Sequence, residues 1–459
     1  MTDTEDLPTD WRIKKYGDIA KIIGGSTPST DTDEYWGGDI QWAVPSEVTD
    51  RPQIELEDTE RKITQKGLES GSINILPEKS VLMTSRATVG VPVINKVPMA
   101  TNQGFQNFDL SDSNDIIAYY LYYQILENSD YIDSVASGGT FDEISKSELS
   151  KLRLGVPSLS EQRRIASVLY SVDEQVRSLH DRHDELTQLK HGLMQDLLTG
   201  NTRVTPDMQP RDEVVEVEDV DVGDTDSGVS DKQLSFNTYI PEDWKIDTMK
   251  EVSEDALRTL DDGDWVESDD MDDSGDYGLI QLGHIGSNNM KGSPNNFVNE
   301  DFIEEEDCMV LKENDLLISR MAEPIFRTCR VPRELAGKSI TAVDIMRLCP
   351  NPSIHNNEYM KQVLNWHPIE KQASAWSGGT TRERISKTNS MKVKIPVPPL
   401  WEQERIASIL YTVDEMIART SELIDEYERL KRGLMQDLLS GNIRTPEDLE
   451  VLEEVMTEN

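Results

Sequence analysis

Few side chains in this 459-residue sequence are spaced for bond-making chemistry. No Gly-x-Gly cofactor loop precedes a helix, and no Asn/Asp-Pro-Pro-aromatic tetrad occurs. Pro398-Pro399-Leu400-Trp401 lacks the leading amide, and Gly24-Gly25-Ser26-Thr27 lacks the Lys of a phosphate loop. Asp50 with Glu60-Arg61-Lys62 loosely fits a metal-nuclease template, a spacing common by chance. His180 and His183 share a helix face at i, i+3, but no further ligand is evident. Cys308, Cys329 and Cys349 are odd in number and too far apart for a CxxC pair, so they read as reduced thiols. The expectation is no catalytic residue and no metal in this chain. What remains is hydrogen-bonding chemistry, carried by forked donors and amides such as Arg86 and Asn102-Gln103.

The elements that must position them include an internal repeat. Glu161-Gln162 recurs as Glu402-Gln403, and Ile165-Ala166-Ser167 as Ile406-Ala407-Ser408. Val172-Asp173-Glu174 recurs as Val413-Asp414-Glu415. Gly192-Leu193-Met194-Gln195-Asp196-Leu197-Leu198 recurs unchanged as Gly433-Leu434-Met435-Gln436-Asp437-Leu438-Leu439. Every pair differs by 241, so no gap interrupts the repeat.

Within it, Ile165, Leu169, Val172, Val176, Leu179, Leu186 and Leu193 fall on one heptad seam. So do Ile406, Leu410, Val413, Ile417, Ile424 and Leu434. Spacing of four and three predicts two long coiled-coil helices that pair with each other. About 40 residues give a rod of roughly 60 Å. Gly200-Asn201 and Gly441-Asn442 stop the helices. The competing arrangement, each helix packed on its own domain, would show a wider apolar face than a strict seam. Lys190, Lys431 and His183 lie on the seam, where polar residues fix register.

The stretches before each helix also echo one another. Leu7-Pro8-Thr9-Asp10-Trp11 matches Ile240-Pro241-Glu242-Asp243-Trp244, and Leu82-Met83-Thr84-Ser85-Arg86 matches Leu316-Leu317-Ile318-Ser319-Arg320. Ser137-Gly138-Gly139-Thr140 matches Ser377-Gly378-Gly379-Thr380. Short β-rich runs between turn residues, with a helix near Ile116 to Leu126, predict a mixed α/β (α+β) fold. The expected organisation is a first head at 1–158, a helix at 159–204 and an acidic, loosely held linker at 205–235. A second head at 236–398, a helix at 399–445 and an acidic tail at 446–459 follow.

A net charge of −41 is extreme. It suits a cytoplasm at very high salt, where acidic side chains stay hydrated and self-repulsion is screened. The acidic start Met1-Thr2-Asp3-Thr4-Glu5-Asp6 argues against a signal peptide, and the run Ile116 to Leu126 is too short to span a bilayer. A cytoplasmic location is expected.

The chain resembles the specificity subunit of type I restriction–modification systems, in a halophilic version. The resemblance rests on Val156-Pro157-Ser158-Leu159-Ser160-Glu161-Gln162, on Ile395-Pro396-Val397-Pro398-Pro399-Leu400-Trp401-Glu402-Gln403, and on both Gly-Leu-Met-Gln-Asp-Leu-Leu ends. Gly24-Gly25-Ser26-Thr27-Pro28-Ser29, Glu34-Tyr35-Trp36-Gly37-Gly38-Asp39-Ile40 and Asn102-Gln103-Gly104-Phe105 look like parts of a target-recognition domain. The second head lacks the Asn-Gln-Gly motif.

The resemblance implies two target-recognition domains, each reading half of a split site on double-stranded DNA, and an antiparallel helix pair holding them apart. It implies two adenine methyltransferase (modification) subunits and motor–nuclease (restriction) subunits as partners. Those partners, not this chain, would carry S-adenosylmethionine, ATP and Mg. The base-contact candidates are then Arg86, Asn102, Gln103, Ser137 and Thr140 in the first head. In the second they are Arg320, Arg327, Arg330, Thr380, Thr381, Arg382 and Arg384. A surface ion pair competes with contact at each arginine, and turn chemistry competes at Asn102-Gln103. Trp36 and Trp42 read as core. The alternative for the whole chain is a non-catalytic protein-interaction scaffold with a coiled-coil spacer.

Overall fold

The computed structural model describes residues 7–50, 53–136, 143–204, 214–216, 239–254, 258–272, 274–321, 324–378 and 383–456. Packing divides the chain into two compact units that do not follow chain order. One comprises Met1–Asp181 with Ser421–Asn459, the other Arg182–Thr420. Each unit therefore holds one head, the first half of the long helix that follows it, and the last half of the other long helix.

The first head is built on a five-stranded sheet ordered Lys21–Gly24, Phe105–Asp109, Val81–Thr84, Pro92–Asn95, Glu55–Leu56. A three-stranded sheet lies beside it in sequence, ordered Lys62–Ile63, Trp36–Ala43, Met99–Thr101, its last pair parallel. Ala118–Glu127 is apolar on nearly every side, and eight of its ten residues are buried. It packs in the core with Val81, Met83 and Phe108 from the sheet.

The second head repeats this plan. Four strands run Arg258–Asp262, Ile345–Cys349, Leu316–Ser319, Thr328–Arg330, and three run Phe297–Val298, Tyr277–Ile280, Ser339–Thr341, again with a parallel last pair. Asn357–Leu364 takes the place of the buried helix. The two heads share the order of four equivalent strands and of the three-stranded sheet although their sequences have diverged; Glu55–Leu56 has no counterpart among the described residues of the second. The 205–235 stretch lies outside the described residues apart from Val214–Glu216, whose backbone pairs with Tyr239–Pro241.

The long helices span Leu159–Leu198 and Leu400–Ser440 and pack against each other. The seam is present: Ile165, Leu169, Val172, Ile406, Leu410, Val413 and Ile424 are buried. Val176, Leu179, Leu186, Leu193, Ile417 and Leu434 are half-buried. The wider face is present too. Ile165, Ala166, Leu169 and Tyr170 join the core of the first head together with Met435, Leu438 and Leu439. Pairing and packing on the head therefore coexist, where the sequence reading set them against each other. The seam serves the pairing, and the extra apolar positions near each helix start serve the head.

Glu161-Gln162 and Glu402-Gln403 fix each helix start. Gln162 Nε2 donates to the carbonyls of Pro157 (3.0 Å) and Asp115 (2.8 Å), and its Oε1 accepts from the Ile117 amide at 3.0 Å. Gln403 does the same with Pro398 O, Ile354 O and the Asn356 amide. Each glutamine thus ties a helix start to the buried helix of its head, satisfying backbone groups that the fold leaves otherwise buried. No helix among the described residues is long and apolar enough to cross a membrane.

Candidate nucleic-acid interface

In the first head three loops meet at one end of the sheet. Strand Val81–Thr84 ends at Ser85, whose amide donates to Gly104 O at 2.7 Å. Asn102 Oδ1 accepts from the Gly104 amide at 2.8 Å, so the Asn102–Gly104 turn is held by its own side chain. A Cβ on Gly25 would lie 1.8 Å from Asn102 O, so the Gly24–Ser29 loop can sit against this turn only with glycine there. Thr27 Oγ1 bonds Gln103 Oε1 across the two loops. Trp42 Nε1 donates to Ser26 O and Trp36 Nε1 to Ser29 O, pinning the loop from beneath. Trp42 is buried, and Trp36 is half-buried under the Arg61 guanidinium, 3.8 Å from the ring centre.

Arg86 and exposed Gln103 are therefore brought into one cluster, with Asn102 as its structural turn. Arg86 Nη2 lies 2.9 Å from Glu143 Oε1, both about half exposed. Ser137 and Thr140 lie outside the described residues.

The second head builds the corresponding corner from different residues. Arg320 N donates to Asp344 O at 2.9 Å, and Ile385 N to Arg320 O at 2.9 Å. These match Ser85 N to Gly104 O, and Ile144 N to Ser85 O at 3.1 Å. Strand register agrees: Thr84 faces Phe105 as Ser319 faces Ile345. Arg320 thus stands in the place of Ser85, not of Arg86. The matching strings Ser85-Arg86 and Ser319-Arg320 are one residue out of structural step, and one residue in a strand reverses the facing.

The one-residue offset takes Arg320 out of the base-contact set. Arg320 is 3% exposed, paired with Asp262 at 2.8 Å and Asp344 at 3.2 Å, and donates to Ile385 O. It is an internal support, not a presented base reader. Arg384 remains exposed and is gripped by Asp344 through Nε (2.6 Å) and Nη2 (2.5 Å). Arg327 is half-buried behind Phe326, and Arg330 is exposed at the far end of its hairpin, opposite Leu316, away from Arg384. Thr380, Thr381 and Arg382 lie outside the described residues. Among the described residues no group of His, Cys, Asp or Glu is placed to hold a metal ion.

Sequence reasoning missed two features. Beyond each stop glycine an arginine closes the unit. Arg444 bonds Glu161 and Asp10. Arg203 bonds Glu402 (2.8 Å) and Asp243 (2.8 Å). Both arginines obey the 241 offset, which was the available signal. The second is Trp265, 71% exposed. Gly263 N donates to Ile345 O and Asp264 N to Thr341 O, as Gly25 N does to Phe105 O and Ser26 N to Thr101 O. Trp265 therefore occupies the position of Thr27.

Two heads with a shared strand order, each with a loop corner of hydrogen-bonding side chains and each rooted in paired helices, define a two-headed recognition protein. The profile of the family described as type I restriction modification DNA specificity domain matches residues 8–188 and 241–429. The chain belongs to that family, and its role is DNA specificity rather than catalysis. It is 25% identical over 454 residues to the type I restriction enzyme MjaIX specificity subunit of Methanocaldococcus jannaschii, covering 97% of this chain and 96% of that protein. It is 26% identical over 195 residues to the HindI specificity subunit of Haemophilus influenzae, covering 42% of each. In fold it is similar to the type I restriction–modification S subunit from M. genitalium, with a TM-score of 0.57 at 12% identity over 96% of this chain and 98% of that one.

Proposed function

We propose that this chain recognises a split, gapped site on double-stranded DNA, one half-site by each head. In this reading, two methyltransferase subunits and the motor–nuclease subunits assemble on it and supply S-adenosylmethionine, ATP and Mg. The observation that carries the reading is the repeated loop corner: one backbone frame holds Ser85, Arg86 and Gly104 in one head and Arg320, Met321 and Asp344 in the other. Constant frames with exchanged side chains suit readers of different sequences, because base edges are distinguished by donor and acceptor pattern.

The paired helices act as the spacer. Half-sites on one duplex need a spacing fixed by protein geometry. One heptad added to both helices moves a head by roughly 10 Å, about three base pairs at 3.4 Å each. The proposed setting is a cytoplasm of high salt, where phosphate contacts release little counterion entropy and base-edge contacts carry more of the affinity. Methylated adenines are to be mapped in cells carrying this chain with its modification subunit, then with the heptad-extended variant. A split motif whose gap lengthens is expected. A gap that stays fixed removes the spacer role, and a continuous motif removes the two-head reading.

A further inference from the structure

We infer that the second head reads a G·C base pair through Arg384, with Asp344 as its positioning residue and Arg320 as the buried support. The inference rests on the function proposed above and names the chemistry of one of its contacts.

Asp344 is 7% exposed, and a buried carboxylate needs a partner. It has two: Arg320 from within at 3.2 Å and Arg384 from the surface. Arg320 is held on its other side by Asp262. Two arginines and two aspartates thus balance, and three of the four are fixed by burial or by the strand ladder. Asp344 itself has φ +73, in the left-handed region, whereas Gly104 at the equivalent place in the first head does not. A non-glycine residue there is strained, and such strain collects at working corners.

Arg384 is the one member whose side chain is about half exposed, at 46%. Its backbone bridges Met321, as Glu143 bridges Arg86 in the first head. The same position therefore carries an acid in one head and an arginine in the other, beside the same loops. Asp344 Oδ1 accepts from both Nε and Nη2, which holds one edge of the guanidinium and leaves its Nη1–Nη2 edge for another acceptor. An arginine so locked loses little rotamer freedom on binding, and its fork matches O6 and N7 of guanine in the major groove. The same fork also fits a phosphate, and the salt dependence of binding separates the two contacts.

The test uses the assembled modification complex, with Arg384→Ala, Arg384→Lys and Asp344→Asn variants. Adenine methylation is mapped genome-wide, and binding is titrated at several salt concentrations. The wild-type motif is expected to contain a G·C pair that Arg384→Ala relaxes, in one half-site only. Discrimination at that pair should fall on the order of 10- to 100-fold. Arg384→Lys should relax it as well, because an ammonium cannot fork, and Asp344→Asn should relax it less. An unchanged motif overturns the assignment. So does a uniform loss of affinity with a salt slope lowered by about one, the mark of a phosphate contact. Wild-type methylation of a continuous motif would defeat the two-head reading instead, while the effect of Arg384→Ala on that motif would still decide this one.

Discussion

Lys190 Nζ lies 2.5 Å from Asp414 Oδ1, with the lysine side chain 9% and the aspartate 14% exposed. Gln362 from the second head's buried helix donates to the same carboxylate. Lys431 pairs with Asp173, where Tyr123 of the first head's buried helix also bonds. Each site joins both long helices and a head at one carboxylate. In each unit the partner residues run in opposite senses, from Glu161 with Arg444 to Asp173 with Lys431, and from Glu402 with Arg203 to Asp414 with Lys190. The pairing is antiparallel.

Removing one partner of such a pair leaves a buried charge. Lys190→Met is expected to lower stability by about 3 kcal/mol, read as a fall in the urea midpoint of the second unit's transition. Lys190→Met with Asp414→Leu should recover part of the loss, because a well-packed apolar pair of similar volume is nearly neutral while Gln362 loses one of its acceptors. A double variant as unstable as the single one would refute the account.

How much of this was legible follows from which residues carry it. The helices and their seam were readable because a heptad and a gapless 241-residue repeat are one-dimensional signals, whereas the antiparallel sense came only with the family resemblance. The lysines on the seam were readable as register residues for the same reason. Their carboxylate partners were not, since pairing across helices depends on which ends meet. In the heads, string matching placed Arg320 with Arg86, whereas the ladder places it with Ser85. Strands reverse facing at every residue, so a match one residue out carries no orientation. Asn102 showed its turn chemistry in sequence, but Asp344 in the equivalent turn did not, because Ala342-Val343-Asp344 has none of the first head's residue types.

Arg444 ties Asp10, at the start of the first head, to Glu161, whose side chain is 3% exposed. Arg444→Ala is expected to cost roughly 2 kcal/mol at neutral pH, less than a fully buried pair because Arg444 is itself 44% exposed. The hydrogen bond from Arg444 holds the Asp10 carboxyl below its ordinary range. A depressed carboxylate contributes stability above its unfolded value, about 3.9, and loses it as pH falls through the folded value. The gap in urea midpoint between wild type and Arg444→Ala should therefore narrow below about pH 4. A gap that widens in acid would contradict this linkage.

The −41 charge sets a salt response. The Debye length falls from about 10 Å at 0.1 M to about 3 Å at 1 M, so repulsion among surface carboxylates fades over that range. Urea midpoints are expected to rise steeply between 0.1 and 1 M KCl. Surface ion pairs such as those at Arg444 and Arg86 work in the opposite sense, but Asp and Glu outnumber Lys and Arg by 87 to 46. A midpoint that falls with KCl would mean that attractive pairs outweigh the net repulsion.

Trp265 exposes 71% of its surface in the loop that corresponds to Gly24–Ser29. Its Nε1 reaches Glu267 Oε1 at 3.4 Å, and among the described residues no other aromatic ring stacks on the indole. On the proposed reading it packs against the duplex when the second half-site docks. Emission of the assembled complex should then shift to shorter wavelength on adding cognate DNA, and Trp265→Phe should remove most of that shift. Trp265→Ala should weaken binding about tenfold, the equivalent of about 1.4 kcal/mol of lost contact. Because a ring against sugar or base face carries no donor pattern, the methylated motif should stay unchanged in Trp265→Ala, in contrast to Arg384→Ala. Emission that ignores DNA would place Trp265 outside the interface and would turn the search for its contact to a protein partner.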